Sequence, residues 1–280
     1  MNNKRGVKMK GIILAGGTGS RLWPLTAVTS KQMLPVGGVP MIFHPLNILI
    51  KAGITDILII VSPDHSGRFM NMLEPLLRPY GINILSGIQE VPAGLPEAFT
   101  IGAPLIGDDN VTLILGDNIF EDTNTIADAI KNFKKGGHIF AREVADPERF
   151  GVATVNTSNV VTNIVEKPEK PESNLAVTGA YIYDNEVIEA ARNLKSSDRG
   201  ELEIVDLHNY YLEKKELQLS SLSGAWFDAG TQESLREVDA YAAKNNFVES
   251  FDPILVDALK KGFVRNKAMG KAQLLACKDI

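Results

Sequence analysis

The chain has 280 residues, of which 44% are hydrophobic and 22% are charged, a balance that suits one large α/β domain or two small domains with a full core. The formal net charge of −5 argues against a nucleic-acid partner, which calls for a basic surface, so bound phosphates would be held by a few placed cations. Cys277 is the single cysteine, which excludes an intrachain disulfide and a cysteine zinc site and favours a cytoplasmic location.

The sequence predicts neither a membrane anchor nor a signal peptide. No apolar run reaches the roughly 18 residues of a transmembrane helix. Residues 1–9 are basic and polar with no apolar segment of signal-peptide type after them, so we expect a disordered leader. Translation from Met9 is an equal alternative for this segment.

Glycines end the first apolar run of the chain. Residues 12–14 are typical of a buried strand, and three glycines follow it: Gly16, Gly17 and Gly19. Glycines can take positive φ and carry no Cβ, so successive amide N–H groups can point at an anion close to the main chain. Arg21 adds a planar fork suited to phosphate, and Lys31 adds a point charge. We interpret residues 10–35 as a triphosphate-binding loop.

Three other interpretations of this loop are weaker. A dinucleotide fingerprint requires a third glycine where this chain has Leu22. A Walker A loop requires a Lys-Ser or Lys-Thr pair after the glycines, and none follows. A glycine-rich turn with a solvated arginine would explain the glycines alone, but Lys31 and the Met-Leu-Pro segment after it argue against that.

Residues 10–35 resemble the start of the sugar-phosphate nucleotidylyltransferases. The shared pattern is a strand, then L-A-G-G-x-G-[ST]-R-L-x-P-x-T, then S-K-Q-[ML]-L-P-V, and the S-K-Q variant is most similar to the glucose-1-phosphate thymidylyltransferase branch. The resemblance implies a Rossmann-like doubly wound mixed sheet with an added antiparallel sugar-binding region and a short C-terminal helical extension. It also implies nucleotide contacts at this loop from Leu14, Gly16, Gly17, Gly19, Ser20, Arg21 and Gln32.

After the loop, helix and strand patterns alternate. We predict helices over 39–53 and 69–77 and strands over 56–61 and 82–85, an order that indicates right-handed βαβ units. Gln89 follows the last of these strands, where doubly wound sheets bind ligands. A glutamine amide can both donate and accept, which suits the edge of a pyrimidine base, although a loop glutamine facing water is the plain alternative.

The resemblance assigns Gln89 the role of reading the base. It implies that Pro92 and Gly94 supply the adjoining backbone contact. Where relatives carry a small polar or acidic insert, this chain has Val91 and Ala93.

Two aspartates at strand ends form a candidate metal site. An apolar strand over 112–115 delivers Asp117 behind a glycine, and Asp228 lies in a W-x-D-x-G segment after a later strand. A carboxylate at a buried strand end requires a cation, and Mg²⁺ is the expected one, held by Asp117 and Asp228 together with phosphate oxygens and water. The alternative is that such an aspartate caps a turn or helix. The G-D-N and W-x-D-x-G segments both match the family.

From Gly151 onward the strands alternate and are joined by turns, which indicates antiparallel pairing. A helix over 125–135 and a strand over 138–144 precede them. The resemblance implies that Glu166 contacts sugar hydroxyls and that Lys167 and Arg199 grip the sugar phosphate. Gly179 lies in an alternating strand whose inward side should line the sugar site, and a glycine there permits close approach. The resemblance also implies that the same pocket is lined by Gly151, Val177 and Tyr181. Phe150 and Val205 replace the Tyr and Thr of many relatives, which removes two hydroxyls from the pocket.

We predict one nucleotidyltransferase domain over 10–245, with a nucleotide-binding part over about 10–120 and a sugar-binding part over about 121–230. A helix with Thr231 as its N-cap is predicted over 231–244. The extension over 246–280 carries two amphipathic stretches, 253–263 and 267–277, which differ from the nucleotide-sensing C-terminal region of the family.

The resemblance implies an enzyme that forms dTDP-glucose and pyrophosphate from dTTP and glucose 1-phosphate. The catalytic set would be Arg21, Lys31, Asp117, Lys167 and Asp228. A UTP-dependent enzyme or another hexose 1-phosphate is the first alternative, and a non-catalytic sugar-nucleotide sensor is the second. The family also implies a homo-oligomer, a tetramer or a dimer.

Overall fold

The computed structural model describes residues 6–197 and 199–262. Its strands are β1 (Met9–Leu14), β2 (Pro35–Val36), β3 (Val39–Pro40), β4 (Asp56–Val61), β5 (Asn83–Ile88), β6 (Asn110–Leu115), β7 (Asn118–Phe120), β8 (Gly137–Glu143), β9 (Gly151–Val155), β10 (Val161–Glu166), β11 (Leu175–Tyr183), β12 (Leu217–Ser221) and β13 (Trp226–Asp228). Its helices are α1 (Phe43–Lys51), α2 (Ser66–Leu77), α3 (Glu97–Ile101), α4 (Ala103–Ile106), α5 (Thr123–Asn132), α6 (Glu186–Arg192), α7 (Ile204–Glu213) and α8 (Gln232–Lys244). A further helix, α9, covers residues 253–262.

A nine-stranded mixed sheet forms the centre of the fold, in the order β10-β9-β11-β6-β1-β4-β5, with β8 beside β11 and β12 beside β8. Strands β6, β1, β4 and β5 are parallel, whereas β11 runs antiparallel to β6 and to β8. The doubly wound mixed sheet that the sequence predicts is therefore confirmed. The antiparallel strands β9, β10 and β11 continue this sheet, whereas β2 with β3 and β7 with β13 form two separate two-stranded sheets.

Alternating side chains of the central strands enter two separate cores. Ile13 packs with α1, α2 and α5 on one face, while its neighbour Ile12 packs with α3, α6 and α7 on the other. Both isoleucines are fully buried, which explains why the central strands read as continuous apolar runs.

Several element boundaries differ from the sequence-based prediction. The predicted helix over 39–53 begins only at Phe43, because Val39 and Pro40 pair with β2 in a small antiparallel ladder. Strand β1 already includes Met9, inside the segment expected to be a leader, and the Lys8 backbone N–H donates to Asp109 Oδ1 at 2.8 Å.

The C-terminal part of the described chain packs against the domain. Leu255 and Ala258 of α9 are buried in the core beside α1, and the Asp252 backbone N–H donates to Asn47 Oδ1 at 2.7 Å. The second amphipathic stretch, predicted over 267–277, lies outside the described residues. Thr231 is the N-cap of α8, as predicted, and its hydroxyl accepts from the Ser234 backbone N–H. Among the residues described, no helix combines the length and the apolar character needed to cross a membrane.

Candidate active site

The glycine loop lies at the carboxyl edge of the parallel strands. Strands β1 and β6 are neighbours and end in register, Leu14 opposite Leu115, so the segments that follow them lie side by side. Gly17 and Gly19 have positive φ, 91° and 60°, which agrees with the proposed backbone cradle. Gly16 lies outside that region of φ. Glycine is required there because a Cβ would lie 2.7 Å from the side-chain oxygen of Gln89.

Lys31 and Asp117 form a partly buried ion pair at this edge. The lysine Nζ donates to Asp117 Oδ2, and the two side chains are only 16% and 14% exposed. Burial opposes ionisation of Asp117, but the adjacent ammonium outweighs it and holds the pKa of that carboxyl below its usual range. Gln32, expected to contact nucleotide, is instead buried beneath the loop, where its Cγ lies 2.9 Å from the Cβ position of Gly116.

Asp228 is placed beside Asp117 by the pairing of two short strands. Strands β7 and β13 are antiparallel with Asp228 opposite Asn118, and the Ala229 backbone N–H donates to the carbonyl of Asp117 at 2.9 Å. Burial and then the charge of Asp117 raise the pKa of Asp228 above its usual value, so the two carboxylates face each other closely enough to repel. Arg21 lies on the other side of Asp228, since Arg21 Nη2 and Asp228 Oδ1 are 2.9 and 3.0 Å from the same Cβ position of Gly230.

Asn118 connects the nucleotide edge to the next part of the site, and the sequence analysis did not single it out. Its Nδ2 donates to Asp117 Oδ1 at 3.2 Å, and its Oδ1 accepts from the Gly179 backbone N–H at 3.0 Å and from Trp226 Nε1 at 2.7 Å. A Cβ on Gly179 would lie 2.6 Å from the Asn118 side chain. Asn118 therefore approaches Gly179 closely, and Gly179 also lies in the wall of the cavity described next.

A cavity of about 190 Å³ opens beside these residues and shares Asp228 with the nucleotide edge. Most of the residues expected to bind the sugar phosphate line this cavity: Gly151, Glu166, Lys167, Val177 and Tyr181. Arg199 is not in the wall, but its Nη2 donates to Glu166 Oε1 at 3.3 Å and to Glu203 Oε2 at 2.8 Å, which places it at the rim. Phe150, Gly179 and Val205, which the sequence analysis also placed at this pocket, lie in the wall as well. Other wall residues that sequence reasoning missed are Leu95, Leu115, Asn118, Arg149, Thr178, Ile204, His208 and Trp226.

Gln89 is held in one orientation by a residue that the sequence analysis did not identify. Gln89 is 5% exposed, and its Nε2 donates to Glu97 Oε2 at 2.6 Å. The same carboxylate oxygen accepts from the Ala93 backbone N–H at 3.3 Å, which ties the loop after β5 to α3. Because an ionised carboxylate only accepts, the amide nitrogen must face Glu97, and the amide oxygen of Gln89 is left beside Gly16. Gly94 pairs with Leu202, while Pro92 is exposed.

The two aspartates suit a hard divalent cation that a substrate helps to coordinate. Among the described residues, no group of three or more His, Cys, Asp or Glu side chains could hold a metal ion. Two neighbouring carboxylates are nevertheless the usual protein contribution to a magnesium site, since Mg²⁺ takes its remaining oxygens from phosphates and water.

Comparison with known proteins agrees with this geometry. Residues 10–245 match the family model of the nucleotidyl transferases, and the fold and site define the chain as a member of that class. A glucose-1-phosphate thymidylyltransferase of Neisseria meningitidis serogroup A is 48% identical over 238 residues, which is 83% of this chain and 82% of the relative. The Xanthomonas campestris (strain B100) protein of the same name is 46% identical over 248 residues, or 86% and 81% of the two chains. The chain therefore belongs to the glucose-1-phosphate thymidylyltransferase family.

Solved structures give the same result. A crystal structure of a Bacillus anthracis protein described as a glucose-1-phosphate thymidylyltransferase has 43% sequence identity and a TM-score of 0.78, and the match covers 84% of this chain and 95% of that one. A UDP-glucose pyrophosphorylase complexed with UDP-glucose has a TM-score of 0.75 at 23% identity, a likeness that shows the fold alone.

The contact between Gly179 and Asn118 can be tested by substitution. We expect Gly179→Ala to lower the free energy of unfolding by about 1–3 kcal/mol and to reduce activity, because the new Cβ would displace Asn118 from Asp117 and Trp226. Urea denaturation and a turnover assay measure both effects. The matched control is Gly67→Ala in α2, where the Cβ position is open and the expected change is neutral or stabilising by up to about 1 kcal/mol. Equal stability of the two variants would contradict this account of Gly179.

Proposed function

We propose that the chain transfers the thymidylyl group of dTTP to the phosphate of α-D-glucose 1-phosphate, which gives dTDP-glucose and pyrophosphate. The observation that carries the proposal is the shared position of Asp228, which lies beside Asp117 at the glycine loop and also in the wall of the cavity. A triphosphate bound at the loop and a sugar phosphate bound in the cavity would meet there. The names of the relatives at 46–48% identity support the same two substrates.

The reaction needs placement of charge rather than a covalent enzyme intermediate. An oxygen of the sugar phosphate attacks the α-phosphorus in line, the new P–O bond forms, and the bond to the β-phosphate breaks, so that pyrophosphate leaves with the added negative charge. Arg21 would hold the β- and γ-phosphates and Lys31 the α-phosphate. Lys167 and Arg199 would orient the attacking phosphate. Such groups act by positioning and by electrostatic stabilisation of the transition state.

Asp117 and Asp228 would hold Mg²⁺, which when bound supplies positive charge to the triphosphate oxygens. In the free protein Lys31 donates to Asp117, so the same ammonium can exchange that acceptor for an α-phosphate oxygen once the substrate is present.

The orientation of Gln89 supports a thymine or uracil base. Its amide oxygen is the acceptor beside Gly16, because the amide nitrogen donates to Glu97. Thymine and uracil present an N–H at position 3, whereas cytosine presents an acceptor there, so the acceptor of Gln89 matches the first two bases. UTP in place of dTTP is accordingly the second candidate, since both bases carry the same hydrogen-bonding edge.

The direct test is pyrophosphate release by the purified protein with Mg²⁺, glucose 1-phosphate and each of dTTP, UTP, CTP and ATP. We expect release that requires the sugar phosphate and is fastest with dTTP. Release that is fastest with UTP would leave the proposed mechanism unchanged and make UTP the nucleotide substrate in place of dTTP. If no pair gave release while dTDP-glucose bound tightly, the chain would be a sugar-nucleotide sensor instead.

The proposed role of Arg21 predicts a specific loss of turnover. We expect Arg21→Ala to lower kcat on the order of a hundredfold, because a cation that stabilises the departing phosphates is removed. Steady-state kinetics with dTTP and glucose 1-phosphate measure the change. Arg192→Ala is the control, since that guanidinium lies on the surface of α6 beside Glu189. Near-full turnover of Arg21→Ala would show that the assignment is wrong.

The role of Glu97 predicts a change in base selectivity. In Glu97→Leu the acceptor for Gln89 Nε2 is lost and the amide can turn over, so we expect the preference for dTTP over CTP to fall roughly tenfold. In Glu97→Gln a side-chain oxygen can still accept from Gln89, and the preference should be largely kept. Competition assays with both nucleotides give the ratio of kcat/KM values. Unchanged selectivity in Glu97→Leu would show that the orientation of Gln89 does not determine which base the protein prefers.

A further inference from the structure

Arg149 lies in the wall of the cavity, and none of the roles proposed above uses it. Its side chain is 56% exposed, so the guanidinium is accessible to a molecule bound in the cavity. Arg149 ends a short turn and directly precedes Phe150 and Gly151, which line the same cavity. The Lys167 backbone N–H donates to the carbonyl of Phe150 at 2.9 Å, so this turn lies beside the end of β10.

The guanidinium lies against a pair of aromatic rings. Its central carbon, Cζ, is 5.4 Å from the centre of the Phe150 ring, and that ring is 5.0 Å from the ring of Trp226. A cation over an aromatic face is attracted by the negative charge of that face. Trp226 and Asp228 are two residues apart in β13, so their side chains lie on the same side of that strand. The cavity wall therefore continues from Arg149 through the two rings to Asp228.

Asp146 binds one part of the guanidinium and leaves other N–H groups available. Arg149 Nη1 donates to Asp146 Oδ2 at 2.6 Å, and among the described residues Asp146 is the only side chain that accepts from this guanidinium. An arginine has five N–H donors in a planar fork, which suits two oxygens of one phosphate group. Arg149 thus keeps donors for a bound phosphate while Asp146 holds its orientation.

The cations of the cavity lie at two different carboxylates. Lys167 and Arg199 both contact Glu166. Arg149 lies near Asp228 instead: its hydrogen bond in the turn, and to a smaller extent the charge of Asp228, raise the pKa of Arg149 above its usual value. Asp228 is the residue at which the two proposed substrates meet. Arg149 is therefore the cation of the cavity wall that faces the reacting end of the sugar phosphate.

We propose that Arg149 is a catalytic residue that donates hydrogen bonds to the phosphate of the hexose 1-phosphate, at the oxygens that face Asp228. The inference rests on the proposed function, because it takes a sugar phosphate as the occupant of the cavity. Lys167 and Arg199 would hold that phosphate from the side of Glu166, and Arg149 from the opposite side. The attacking oxygen is then directed at the α-phosphorus of the nucleotide while the bond to the β-phosphate breaks and pyrophosphate leaves.

The test is Arg149→Gln, which removes the charge but keeps an amide N–H that can donate to Asp146. We expect kcat/KM for glucose 1-phosphate to fall roughly thirtyfold, because charge-assisted hydrogen bonds to the phosphate are lost. KM for dTTP should stay unchanged, since the triphosphate binds at the glycine loop. Arg149→Lys keeps a positive charge and should recover part of the loss. Added guanidinium ion should raise the activity of Arg149→Ala and leave that of wild type unchanged.

Arg192→Gln is the matched control. Arg192 is 55% exposed and, like Arg149, forms an ion pair with a carboxylate three residues earlier, Glu189, but it lies on α6 outside the cavity wall. We expect this variant to keep wild-type kinetics. A loss in Arg149→Gln no larger than that in Arg192→Gln would overturn the proposal and leave the proposed function intact. A wild type that releases no pyrophosphate with dTTP and glucose 1-phosphate would overturn both.

A binding measurement separates a phosphate contact from a structural role of Arg149. Calorimetric titration compares dTDP-glucose with dTMP, which lacks the phosphate that comes from the sugar substrate. We expect Arg149→Gln to weaken binding of dTDP-glucose roughly tenfold and to leave binding of dTMP unchanged. An equal loss for the two ligands, or no loss for either, would overturn the proposal.

Discussion

The repulsion between two partly buried carboxylates is the constraint on which the site depends. Asp117 has Lys31 as its ion-pair partner, while burial and the charge of Asp117 raise the pKa of Asp228. The pairing of β7 with β13 places Asp228 opposite Asn118, and the Ala229 backbone N–H donates to the carbonyl of Asp117, so the backbones of the two aspartates are held side by side. A close pair of like charges held by backbone pairing is destabilising in the free protein, and a bound divalent cation would relieve it. Binding of a positively charged ligand beside the two aspartates would therefore be favoured.

The mixed sheet brings the two halves of the site to that edge. β6 runs parallel to β1 and antiparallel to β11, so the segment after β6 lies between the glycine loop and the interior of β11. The ladder between β11 and β8 shifts register between Val177 and Tyr181, around Gly179, where Asn118 enters. One amide side chain therefore connects the carboxylate edge to the cavity wall.

Much of this architecture could be predicted from the sequence because local patterns carry it. The apolar run of β4 and the N-cap Thr231 were predicted correctly, and the two aspartates were predicted to share a site. Glu97 and His208 could not be found in this way, since their partners, Gln89 and Tyr183, are set by tertiary contacts that no spacing records. Asn118 carried one usable signal, its place directly after Asp117 at a strand end. The sequence analysis expected a close approach at Gly179 but did not identify Asn118 as the neighbouring side chain, because that contact is also a tertiary one.

On the proposed roles, the ion pairs of the free protein also couple two parts of sugar recognition. Lys167 Nζ and Arg199 Nη2 both lie 3.3 Å from Glu166 Oε1. A sugar phosphate would draw both cations to its phosphate oxygens and leave that carboxylate oxygen free to accept from a hydroxyl. A sugar without a phosphate would have to compete with two cations for the same oxygen. The side chains of Lys167 and Arg199 are 50% and 45% exposed, so they can stay at Glu166 at little cost in free energy. The site would then select a phosphorylated sugar, because Glu166 Oε1 becomes available to a sugar hydroxyl only when a phosphate binds the two cations.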